Sequence, residues 1–101
     1  MVIIKVKKIS GLEKIRGLTG VKKPFAVFFR TRFGIHTFGM KFPIDVLILD
    51  QKNRVVKLAV SVKPNRIFLW NPIFNTVIEL PAGEVKKHKI KRGQFIKLQY
   101  L

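Results

Sequence analysis

Apolar residues along this chain fall in short runs separated by turn-forming residues. Most runs alternate with period two or are apolar throughout, which predicts strands. Val2 to Lys8 alternates well enough for a first strand. Gly11 to Gly20 (GLEKIRGLTG) is polar and bounded by glycines, and it predicts a helix of at most about two turns. Phe25 to Arg30, preceded by Pro24, predicts the next strand. Ile44 to Asp50 carries Ile44, Val46 and Ile48 on one face and Leu47 and Leu49 on the other, the pattern of a central strand covered on both sides. Asp50-Gln51-Lys52-Asn53 then predicts a turn, and Arg54 to Val62 places Val56, Leu58, Val60 and Val62 inward at period two, so the two strands should form an antiparallel hairpin. Lys63 to Asn75 reads as a loop, because Pro64 and Pro72 exclude a continuous internal strand while Phe68, Trp70 and Phe74 anchor it to something apolar. Thr76 to Leu80 and Gln94 to Tyr100 complete the set, the last with Ile96, Leu98 and Tyr100 facing one way.

The expectation is a mainly β protein, a compact antiparallel barrel or sandwich of about six strands with one short helix near the N-terminus. Its 101 residues predict a single β-rich domain over 1–101, enough to bury roughly two thirds of the unfolded surface around one core. The longest apolar run is far too short for a membrane span. Met1 to Lys8 (MVIIKVKK) is too short for a secretory leader and reads as a strand, so a cytoplasmic location is expected. The absence of cysteine excludes a disulfide, a thiolate nucleophile and a Cys-ligated zinc.

Charge changes the picture. Against 5 Asp and Glu stand 21 Lys and Arg, a formal net charge of +16. Such a chain repels itself and attracts polyanions, which makes nucleic acid or another polyanion the partner class to consider. A heat-adapted, merely charged surface is the plainer explanation, but ion-pair networks need acids, and here they are scarce. The densest patch is Lys86-Lys87-His88-Lys89-Ile90-Lys91-Arg92, in which Lys86, Lys87, Lys89, Lys91 and Arg92 are the candidate nucleic-acid contacts. Phe68, Trp70 and Phe74 are candidate stacking platforms beside their role as loop anchors. No Walker loop or helix-turn-helix pattern is present, so such binding would be weakly sequence-specific.

The blocks His36-Thr37-Phe38-Gly39-Met40-Lys41-Phe42-Pro43-Ile44-Asp45, Asn53-Arg54-Val55-Val56 and Glu79-Leu80-Pro81-Ala82-Gly83 follow one another in a familiar order. Together with Glu13 to Gly20 and the turn Lys91-Arg92-Gly93-Gln94, they resemble the uncharacterised ancient conserved region family, domain of unknown function 192, of bacteria and archaea. The resemblance covers most of the chain and implies a small β-rich domain with one helix and no established activity. One departure is Gln94, where the family's closing turn usually carries an acid.

The run Gly34 to Asp50 sets His36, Met40 and Asp45 against an apolar strand. His36 and Asp45 are separated by a glycine and Pro43, so a turn could bring imidazole and carboxylate together, the minimum for general base work in a small hydrolase or isomerase. Nucleophilic catalysis would also need a hydroxyl in reach, and Thr37 falls on the opposite face of an extended chain from His36. No catalytic set is therefore assigned. In the purely structural alternative Asp45 accepts backbone N–H bonds at the start of its strand and His36 ties a loop by a buried hydrogen bond. Glu79 lies inside an apolar strand, where a carboxylate must find a donor such as Arg16 or Lys41. Convergence of His36, Met40, Asp45 and Glu79 would line a polar pocket for a ligand of unknown identity, and this is the expected site of a binding or accessory module. The histidines and acids are scattered, so neither a metal site nor a cofactor is expected.

Overall fold

A computed structural model describes residues 2–9, 25–32 and 34–101. The strands are β1 (Val2–Lys8), β2 (Val27–Arg30), β3 (Gly34–His36), β4 (Ile44–Leu49), β5 (Val55–Val62), β6 (Ile67–Leu69), β7 (Thr76–Pro81) and β8 (Ile96–Tyr100). Six of them form one sheet in the order β5-β4-β7-β2-β1-β8, and β3 pairs with β6 in a separate ribbon. The sheet curls into an open half-barrel. Its edge strands meet at one end only, where Arg54 bridges Phe95 and the Val55 N–H donates to the Gln94 carbonyl at 2.9 Å.

Two apolar clusters result from the two faces of the central strands. Inside the curl, Ile4, Val6, Phe28, Leu47, Leu49, Val55, Ile78, Leu80 and Ile96 pack together. On the opposite face Val27, Phe29, Ile44, Val46, Ile48 and Val77 pack under Met40 and Trp70, with Phe68 and Phe74 against them. All six residues of β4 are buried, as its two-sided apolar pattern requires. Phe68, Trp70 and Phe74 are thus the expected anchors, and the Trp70 indole N–H donates to the Phe74 carbonyl at 2.8 Å. Trp70 is buried, and Phe68 and Phe74 are half-buried against the same cluster, so packing accounts for all three.

The chain departs from the sequence expectation in several places. The sheet is mixed, because β1 runs parallel to both β2 and β8. Parallel neighbours need a long connection, and the separation in sequence between Lys8 and Val27 allows one. Strand β4 is second from the edge, while β7 and β2 occupy the centre. The expected loop of residues 63–75 contains β6, whose partner β3 makes a ribbon so close that a Cβ on Gly34 would lie 2.8 Å from the Phe68 carbonyl oxygen. In β5 the single inward row breaks: the β4 register jumps from Ile44↔Val62 to Val46↔Ala59, and Val60 is 57% exposed. This bulge rotates the strand about its axis. The one helix among the described residues, α1 (Glu84–Lys87), follows β7. The helical turns expected over residues 11–20 lie outside the described residues, as does the Arg16 considered as a partner of Glu79. No helix among the described residues is long and apolar enough to cross a membrane.

Candidate functional site

Asp45 is fully buried, on the face of β4 that looks into the curl with Leu47 and Leu49. Its Oδ1 accepts the Ser61 N–H at 2.9 Å, and its Oδ2 accepts those of Gly83 at 3.1 Å and Val85 at 2.9 Å. Each donor is one that regular structure leaves over. Ser61 sits in the β5 bulge at φ 50°, which turns its N–H onto the carboxylate. Gly83 and Val85 open α1, where the first N–H groups have no partner within the helix. Gly83 reaches this position at φ 96°, a conformation open to glycine at little cost. One carboxylate therefore joins β4, β5 and α1, and its acceptor capacity goes to the backbone.

The register separates the residues expected to share a pocket. Asp45 is opposite Leu80 and Val46 is opposite Glu79, so the Asp45 and Glu79 carboxylates project from opposite faces of the sheet. Glu79 is buried on the side of the second cluster, as is Met40. His36 ends β3 in solvent, stacked on Phe38 at a centroid distance of 5.0 Å, and its Nδ1 accepts the Phe38 N–H at 3.3 Å. The structure thus leaves Met40 and Glu79 on one side, Asp45 on the other and His36 outside. An acid–base pair of His36 and Asp45 has no geometric basis here. Among the described residues no group of three His, Asp or Glu side chains is placed to hold a metal.

The buried tie expected of His36 is made by its neighbour. Thr37 is 1% exposed, its hydroxyl donates to the Lys63 carbonyl at 2.7 Å, and the Arg66 N–H donates to that hydroxyl at 2.8 Å. Period-two alternation around exposed His36 and Phe38 was the signal that placed Thr37 inward.

The basic segment runs through α1 and the turns before β8. Val85 and Ile90 are buried beneath it, and Lys86, Lys87, Lys89, Lys91 and Arg92 are all exposed. Backbone bonds fix its path: Ile90 N–H to the Val85 carbonyl at 2.9 Å, and Gly93 N–H to the Val55 carbonyl at 2.7 Å. The Gln94 side-chain oxygen accepts the Lys91 N–H at 3.1 Å, which closes the turn before β8. Glu84, the acid of this segment, lies 2.9 Å from the His88 Nε2.

No curated protein matches the sequence. Two solved structures share the fold. One is a protein of unknown function from Novosphingobium aromaticivorans DSM 12444, with a TM-score of 0.72 and 18% identity over 87% of this chain and 69% of that one. The other is a candidate transcription regulator from Sinorhizobium meliloti 1021, with a TM-score of 0.73 and 16% identity over 87% of this chain and 76% of that one. At these identities the likeness concerns the fold alone. Residues 10–98 match the family model described as uncharacterised ACR, domain of unknown function 192, and the chain belongs to that family.

Proposed function

We propose that this protein is a binding module for phosphate-rich polymers, with Lys86, Lys87, Lys89, Lys91 and Arg92 as its contact surface. The observation that carries the reading is that these five exposed cations stand on a frame pinned from beneath. Asp45 holds Gly83 and Val85 at the start of α1, while Val85 and Ile90 are buried. Pinning limits the entropy that ordering the backbone would cost on binding. A cleft of about 490 Å³ runs beside α1, and Lys5, Lys87, His88 and the 39%-exposed Phe25 line it. Phe25 offers an aromatic face next to cations, the combination that single-stranded nucleic acid uses. The resemblance in fold to a candidate transcription regulator is compatible with this reading and adds little weight at 16% identity.

The test replaces Lys86, Lys87, Lys89 and Lys91 with Gln. A control of equal net charge replaces Lys8, Lys41, Lys63 and Lys97, which are exposed on separate segments. A fluorescent single-stranded oligonucleotide is titrated at several salt concentrations. Loss of four phosphate contacts flattens the slope of log affinity against log salt by about 3 units for the first variant. Equal changes in both variants would show that net charge alone drives the association.

A further inference from the structure

We propose a second, separate site: the cleft between the end of β2, the β4–β5 turn and residues 71–75 binds a phosphate monoester. It encloses about 530 Å³, within the range of small-molecule sites, and Arg30, Arg32, Lys52 and Arg54 all line it. One carboxylate, Asp50, shares the cleft with these four cations. Asp50 is already engaged: its Oδ1 accepts the N–H groups of Lys52 and Arg54, both at 2.9 Å, and its Oδ2 faces the Arg54 Nε at 3.3 Å. Four positive charges less one negative charge leave an excess of three. Such an excess in a concave site raises the local concentration of anions.

The guanidinium groups are held in place by contacts that leave most of their donors available. Arg30 lies over the Phe28 ring at 5.9 Å, a stacking contact that uses none of its N–H groups. Arg32 spends one Nη1 donor on the Pro72 carbonyl at 2.9 Å, and Arg54 spends its Nε on Asp50. Each guanidinium has five donors in a planar fork suited to oxyanions. Three such forks match the several oxygens and double charge of a monoester better than a single carboxylate. The organic part of the ligand has a wall to rest on, since Ile73 is 70% exposed at the same cleft beside Phe74.

The site is independent of the β7–β8 surface, and the experiment keeps the two apart. Adenosine monophosphate and adenosine are titrated calorimetrically at low salt against the wild type, the double variant Arg30→Gln/Arg32→Gln, the variant Lys52→Glu and the four-lysine variant described above. The monophosphate should bind and adenosine should not. Affinity should fall at least about tenfold in the arginine variant and severalfold in Lys52→Glu, whose side chain is exposed on a turn. The four-lysine variant should keep its affinity. A short oligonucleotide with a terminal phosphate, compared with its hydroxyl-ended form, separates the two sources of the group. Tighter binding than adenosine monophosphate, dependent on the terminal phosphate, makes a strand end the ligand, and no gain makes it a small phosphate ester. Equal binding of adenosine and its monophosphate would overturn the proposal. So would a loss in the four-lysine variant as large as that in the arginine variant or, should the latter not fold, as large as that in Lys52→Glu.

Discussion

Asp45 and Asp50 flank the same strand, yet the first accepts N–H groups from residues 16, 38 and 40 positions away, and the second from residues two and four positions away. Asp45 is a tertiary joint, since three segments distant in sequence lose a common acceptor without it. Asp50 is a local turn former in a water-accessible cleft, with an exposed arginine beside it. A carboxylate between apolar residues invites a catalytic reading, and the geometry shows why that reading fails at Asp45. Both its oxygens accept backbone donors, inside a core where an unmade bond is costly. Unspent polar capacity lies on the other side of the charge ledger, in the exposed cations of α1, the β7–β8 turns and the Arg30–Arg54 cleft.

The largest effect should come from Asp45→Ala, which orphans three N–H donors, two of them opening α1. Chemical denaturation should show a loss of about 3 kcal/mol or more, with Asp45→Asn intermediate because its amide keeps one acceptor oxygen. A stability within error of the wild type would return Asp45 to the list of residues retained for chemistry.

Thr37→Val is the next test, since it removes the hydroxyl joining the Lys63 carbonyl and the Arg66 N–H while keeping the shape. A loss of about 2 kcal/mol is expected, and Thr37→Ser should recover most of it. His36→Ala, one residue away and exposed, should stay within about 0.5 kcal/mol. A larger loss at His36 than at Thr37 would reverse the assignment of the buried tie.

Asp50 should give the smallest effect, visible in its pH dependence. Partial burial pushes its carboxyl up, but the backbone N–H groups of Arg54 and Lys52, the Arg54 charge and the Arg54 side-chain bond together bring it below its ordinary value. A depressed folded value means that the stabilisation is fully present above the unfolded value of about 4, and is lost as pH falls through the lower folded value. Asp50→Asn should therefore flatten the acid limb of stability against pH below about 4, an effect that added salt reduces. An unchanged acid limb would show that the turn holds without the charge.

The sequence carried the local half of this arrangement. The two-sided apolar run of β4, the Asp50–Asn53 turn and the hairpin to β5 are written in adjacent residues, and all three are found. Strands β3 and β6 are three residues each, too short for a period to declare itself, and Pro64 and Pro72 near β6 argued for loop alone. The parallel pairing of β1 with β8 joins the two ends of the chain, and no local pattern encodes it. Asp45 was legible as a residue that must find donors. Which donors depended on a bulge in β5 and on a helix start far along the chain, both products of the assembled fold. Glu79 was legible as a buried acid, and only the register of β4 against β7 shows that it faces away from Asp45.

The central claim is that the buried acid builds the frame and the exposed cations do the binding. Its most direct test is the salt dependence of oligonucleotide affinity in Asp45→Asn and in the four-lysine variant, each measured well below its own melting temperature. The account predicts that Asp45→Asn melts lower yet changes the slope by less than about one unit, while the four-lysine variant keeps its melting temperature and loses about 3 units. A collapsed slope in Asp45→Asn with an unchanged slope in the lysine variant would contradict it.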